Sequence, residues 1–149
     1  MKRFTASELP KLFIDTWAWI ALVDERDPSH DAVTDLGRRY GTRRGLWVTT
    51  DYVLNEFITR VFSRQHFDRG QLFCERLFQS EEEGLLSIER ITPDRFDRAW
   101  QLRLRFRDKP RISFTDLTSF AVMCELGLRH TLTADRHYTQ IHLGFQILP

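Results

Sequence analysis

The sequence predicts an α/β sandwich built on a largely parallel sheet. Short apolar runs of three or four residues recur along the chain, and stretches with apolar residues at helical spacing separate them. The first run, Leu12-Phe13-Ile14, is apolar at every position, as in a strand covered on both faces, and it stops abruptly at Asp15. In open α/β sheets ligands bind at the carboxyl ends of strands, and Asp15 would stand there.

Trp17 to Val23 reads as a short helix, interrupted at Asp24-Glu25-Arg26-Asp27-Pro28. Asp27 as cap and Pro28 in the first turn open a second helix, running to about Tyr40 on Ala32, Val33, Leu36 and Tyr40. Gly41 to Gly45 is a basic turn, and Leu46-Trp47-Val48 is a second strand. Thr49, Thr50 and Asp51 are cap candidates for the next helix. Its stripe is Val53, Leu54, Phe57, Ile58, Val61 and Phe62. Glu56 lies beside that stripe, near the same sheet edge as Asp15. An exposed i,i+4 pair with Arg60 is the competing use for it.

Asp68 to Ser80 is a fourth helix, with Leu72, Phe73, Leu77 and Phe78, and Gly84 stops it. Leu85-Leu86-Ser87-Ile88 is a third strand. Thr92 as N-cap and Pro93 at the first position start a helix carrying Phe96, Ala99, Trp100, Leu102, Leu104 and Phe106. After the charged turn Asp108 to Arg111, either Ser113 or Thr115 caps an apolar helix that ends at Gly127. Asp116 sits in or just before its first turn, where the helix dipole alone would favour an acid. Thr131-Leu132-Thr133-Ala134 is a fourth strand followed directly by Asp135. Tyr138 to His142 is a polar turn, and Phe145 to Leu148 a final strand.

The 149 residues suit one domain, residues 11–149, with residues 1–10 as an N-terminal extension. That extension lacks the apolar run of a signal peptide, and no stretch is apolar over the roughly 20 residues of a membrane span, so a cytoplasmic location is expected. A net charge of +1 excludes a global positive field for nucleic acid. Arginines nevertheless cluster at Arg38, Arg39, Arg43 and Arg44, and again at Arg95, Arg98, Arg103, Arg105, Arg107 and Arg111. They suit phosphate contacts or, equally, solvated helix faces. Cys74 and Cys124 are isolated and match no zinc or redox spacing.

Asp15 and Asp135 end strands, while Glu56 and Asp116 lie early in helices. Right-handed crossovers would carry all four to one edge. Four carboxylates there would repel unless a cation sits among them, and Mg2+ or Mn2+ takes such oxygen ligands. No Gly-rich phosphate loop and no zinc spacing is present, so hydrolysis of a phosphodiester fits better than chemistry on a nucleotide triphosphate.

Four motifs carry a family resemblance: Phe13-Ile14-Asp15-Thr16, Val53-Leu54-Asn55-Glu56, Ser113-Phe114-Thr115-Asp116 followed by Ser119 to Met123, and Leu132-Thr133-Ala134-Asp135-Arg136-His137-Tyr138. In this order they resemble the PIN-domain family, most closely the VapC-type toxins of toxin–antitoxin pairs, from Leu12 to Leu148. The resemblance implies a three-layer α/β/α fold and an Mg2+- or Mn2+-dependent endoribonuclease acting on RNA. It implies Asp15 and Asp116 as direct metal ligands, with Glu56 and Asp135 on a second ion or acting through water. Thr16, Ser113 and Thr115 fall where a hydroxyl orients an acid or a phosphate; for Thr115 a simple helix cap is the alternative. A small antitoxin partner and a homodimer are further implications. Phe57 to Phe62 and Leu72 to Phe78 are candidate dimer surfaces, against core packing. His137 and Tyr138 would stack on a base or pack beneath the loop. The competing function is a catalytically silent module that binds RNA or protein. An acid-edge phosphatase of the haloacid-dehalogenase type would need an acid where Trp17 stands.

Overall fold

The computed structural model describes residues 11–41 and 47–148. The expected extension of residues 1–10, the side chain of Tyr40, Leu46, and the basic turn with Arg43 and Arg44 lie outside the described residues. In chain order the elements are β1 (Leu12–Ile14), α1 (Thr16–Val23), α2 (His30–Gly41), β2 (Trp47–Thr50), α3 (Asp51–Arg64), α4 (Phe67–Glu82), β3 (Leu86–Glu89), α5 (Pro93–Arg105), α6 (Phe114–Leu126), β4 (His130–Leu132), α7 (His137–Gln140) and β5 (Gln146–Leu148). The five strands lie in the order β3-β2-β1-β4-β5 and every pairing is parallel. Helices flank this sheet, as the α/β reading expects.

The central strand is β1, and its three residues are fully buried. Phe13, Phe57, Leu117, Phe120, Met123 and Tyr138 fill the core around it. The Phe120 and Tyr138 rings meet edge to face at 4.8 Å. Two caps hold the helices that follow strands. Thr50 accepts from the Val53 N–H at 3.1 Å to start α3, and Thr92 accepts from the Arg95 N–H at 3.3 Å to start α5. Gly127 ends α6 at φ 67°, a left-handed conformation that disfavours a Cβ.

Four details differ from the sequence reading. Helix α2 begins at His30 rather than Pro28, because Asp27 folds a turn: its carboxylate accepts from the Ser29 N–H at 2.8 Å and its carbonyl from the His30 N–H at 2.9 Å. Strand β4 stops at Leu132, so Thr133 and Ala134 lie in a loop before Asp135. The polar turn of Tyr138 to His142 is instead α7 with its exit, and Tyr138 is completely buried. On α5, Phe96, Trp100 and Leu104 are 44%, 50% and 46% exposed. They form an i, i+4, i+8 row on the outside of the molecule; spacing reveals that row but not which way it faces.

Replacing Thr50 by alanine removes the cap of the helix that carries Glu56. It is expected to cost about 1–2 kcal/mol, read as a lower urea midpoint with an unchanged slope.

Candidate active site

Four elements deliver carboxylates to one place. Asp15 follows β1 and is only 6% exposed. It precedes α1, yet its side chain makes no cap hydrogen bond. Its Oδ2 instead accepts from the Thr133 hydroxyl at 2.7 Å. The same Thr133 oxygen accepts from the Asp135 N–H at 3.0 Å, so one hydroxyl ties two of the acids together. Thr133 follows the last ladder pair, Ile14 with Leu132, and its hydroxyl serves the two acids from just beyond the end of β4.

Glu56 reaches the site from α3, where its Oε2 accepts from the Thr16 hydroxyl at 3.1 Å. The expected alternative, a pair with Arg60, is absent from the ion pairs of the described residues. Asp116 belongs to a capping box at the start of α6. Its N–H donates to Ser113 Oγ at 3.0 Å, while its Oδ2 accepts from the Ser113 N–H at 3.4 Å. Ser113 is thus the cap. Thr115 lies inside the first turn, where its carbonyl accepts from the Thr118 hydroxyl.

Asp15, Glu56, Asp116 and Asp135 all line one cleft of about 310 Å3, with Thr16 and Ser113 beside them. Thr115 is not on its lining. Four further residues line the cleft: Trp17 and Arg60, with Arg111 from the second arginine cluster and His137, a candidate base contact in the sequence reading. His137 Nδ1 lies 3.1 Å from Asp135 Oδ1 and 3.8 Å from Asp116 Oδ2, without the alignment of a hydrogen bond. The sequence reading has this imidazole stacking on a base or packing beneath the loop; in the structure it lies against two acids. For Trp17 and Arg60 the sequence offers no comparable signal of a place in the cleft.

The electrostatics of this cluster are those of carboxylates without a counter-charge. Burial first, and then the charges of Asp15 and Asp135, together push Asp116 up to about 7 against the hydrogen bonds from Ser113. Asp15 is also raised, chiefly by burial; the Thr133 hydroxyl opposes the rise, and Asp135 and Glu56 add to it. Asp116, Asp135 and His137 each place one ligand atom within 4.8 Å of the others. Clustered acids with raised pKa values fit a divalent cation that prefers oxygen ligands, and the unpaired imidazole nitrogen of His137 adds one nitrogen donor beside them.

Residues 12–142 match the PIN domain. The chain belongs to the PIN-domain family. It is 28% identical over 135 residues to the 23S rRNA-specific endonuclease VapC20 of Mycobacterium tuberculosis, covering 86% of this chain and 92% of that protein. The crystal structure of VapC20, a Sarcin-Ricin loop cleaving toxin, matches with a TM-score of 0.74 at 24% identity, over 88% of this chain and 95% of that one. DNA-bound VapBC from Salmonella typhimurium matches with a TM-score of 0.69 at 16% identity, over 94% and 98%. The PIN fold read from four short motifs is therefore the fold of this chain.

A pH dependence follows for the metal-free PIN domain. Asp116 titrates near 3.8 when unfolded and near 7 when folded. Between those values the folded state binds more protons, so stability falls as pH rises from about 4 to about 7. Thermal melts in EDTA should show this decline, and Asp116→Asn should flatten it.

Proposed function

We propose that this PIN domain, residues 11–149 acting as one unit, is a metal-dependent endoribonuclease that hydrolyses RNA phosphodiester bonds and serves as the toxin of a toxin–antitoxin pair. The observation that carries the proposal is the convergence of four carboxylates in one cleft, two of them with raised pKa values. The likeness to a 23S rRNA-specific endonuclease supports RNA as the substrate.

In this reading Asp15 and Asp116 ligate Mg2+ or Mn2+ directly, and Glu56 and Asp135 hold a second ion or act through water. When bound, such an ion lowers the pKa of a water and stabilises charge building on the phosphate. The chain's own groups aim the ligands. Thr133 fixes Asp15, Thr16 fixes Glu56, and Ser113 fixes Asp116 through the capping box. The similarity to VapBC supports a small antitoxin that silences the cleft. A homodimer is part of the same reading. Phe57 is buried in the core and excluded from it, whereas Leu72 and Phe78 on α4 and the Phe96, Trp100, Leu104 row on α5 offer exposed apolar surface. Among the described residues no helix is long and apolar enough to cross a membrane. With RNA as substrate, the proposed place of action is the cytoplasm.

The test is cleavage of an RNA pool with Mg2+, Mn2+ or EDTA. Activity should vanish in EDTA and fall more than about 100-fold in Asp15→Asn and Asp116→Asn. RNA binding by folded protein without cleavage under any metal would favour a silent module instead. Co-purified antitoxin should suppress cleavage, and light scattering should give twice the chain mass.

A further inference from the structure

Four side chains in the cleft have no part in the proposed hydrolysis: His137, which lies against Asp135, and Trp17, Arg60 and Arg111. Trp17 stands in the first turn of α1, directly after Asp15 and Thr16. It is half-buried, resting on the core while also lining the cleft. Trp19, two positions on and roughly 200° around the helix, does the packing at this end of α1. It is buried and donates its Nε1 hydrogen to Thr49 Oγ1 at 3.2 Å. Trp17 thus brings a flat apolar surface to a cleft lined by four carboxylates.

Arg60 and Arg111 are exposed and come from different places, α3 and the loop between α5 and α6. Among the described residues neither is in an ion pair, although four carboxylates share the cleft. The charges that act most on Asp15 and Asp116 are those of the other acids. The arginines therefore stand at the rim and do not neutralise the cluster. The loop carrying Arg111 is held firmly. Arg103 donates to the carbonyls of Phe106 at 2.6 Å, Lys109 at 2.8 Å and Ile112 at 2.8 Å, bracketing Arg111. A guanidinium presented on a fixed loop, without a protein partner, suits bidentate contact with a phosphate.

We propose that Trp17, Arg60 and Arg111 form a nucleotide subsite beside the acids: the indole stacks on an unpaired base next to the scissile phosphate, and the two guanidiniums take flanking phosphates. The subsite rests on the ribonuclease reading and deepens it. It sets the substrate class as RNA with a splayed nucleotide, since a duplex keeps its bases stacked on one another. Stacking on an indole tolerates any base, so the subsite selects exposure of the base rather than its identity.

The test measures binding without cutting, using Asp116→Asn protein in EDTA and a labelled single-stranded RNA dodecamer followed by fluorescence anisotropy. Adding Trp17→Leu, which keeps an apolar side chain against the core, should weaken binding roughly 5- to 100-fold, while Trp17→Phe retains most of it. An abasic site at one position should weaken binding to a similar degree, with no further loss in Trp17→Leu. Adding Arg60→Gln or Arg111→Gln should each reduce the slope of log affinity against log salt by about 0.7. A duplex of the same sequence should bind more weakly than the single strand. No binding, unchanged salt slopes, or additive effects of Trp17→Leu and the abasic site would overturn the subsite. Melting temperatures separate misfolding from lost contacts, and the two arginine variants decide the matter if Trp17→Leu unfolds. Because binding is read without metal, a failure of cleavage leaves this result intact. Conversely, RNA cleavage by the wild type alongside unaffected binding by the variants overturns the subsite alone.

Discussion

The hydrogen bond from Thr133 to Asp15 is the constraint on which the site depends. A carboxylate at the end of a fully buried strand has lost its water, and a neighbouring hydroxyl is the smallest group that can hold it. For Thr133 to arrive there, β4 must lie beside β1, in parallel and in register. The pairing of Ile14 with Leu132 supplies this, and the Asp15 N–H extends it to the Leu132 carbonyl at 3.2 Å. β2 occupies the other side of β1, so α3 leaves the sheet at the same edge and brings Glu56 to Thr16. The parallel order of the strands is thus what gathers residues separated by more than a hundred positions in the chain.

Asp116 shows how a folding residue and a site residue can be the same atom group. In the sequence its position in the first turn of α6 was sufficient explanation, and the capping box with Ser113 bears that explanation out. Yet the carboxylate is also buried beside two other acids, and its raised pKa shows that the local cap does not fully offset that environment. The helix start fixes where the charge sits; the surrounding acids determine its energetic cost. A conflict between local preference and global cost is the pattern expected at a functional site.

What was legible in the sequence was local. Leu12 to Ile14, Thr92 with Pro93, and Gly127 each declare an element boundary through groups a few residues apart, and the structure follows them. The four acids were legible in combination, since each stands where an element opens at one edge of a parallel sheet. The rest was hidden for tertiary reasons. The role of Thr133 depends on a partner 118 positions away, across the Asp15–Thr133 bond. The outward face of α5 depends on what α5 leaves uncovered, which helical spacing cannot specify. Asp27 and Pro28 misled because a short polar turn and a helix cap use the same residues. His137 was read as stacking on a base or packing beneath the loop; its approach to Asp116 and Asp135 depends on the fold around α7, which spacing does not give.

The near-neutral charge of the chain conceals a strong local order. The acids occupy the cleft, and most of the second arginine cluster is engaged elsewhere. Arg95 and Arg98 pair with Glu125, Arg95 also with Glu89, Arg103 holds a loop through its carbonyls, and Arg105 lies over the Phe106 ring. In the first cluster Arg39 pairs with Asp35. Arg111 is the member of the second cluster that lines the cleft. A chain of net charge +1 has little global attraction for a polyanion, so long-range attraction is a weak basis for choosing a substrate. Selection has to arise at short range, from what can enter a cleft bounded by an indole, two guanidiniums and four carboxylates. In the proposed reading, repulsion by the acids disfavours a polyanion that the rim does not position, and the rim favours a strand whose base can leave its stack. The same charge separation that raises the cost of the metal-free fold is, in the proposed reading, also what would discriminate among RNA strands.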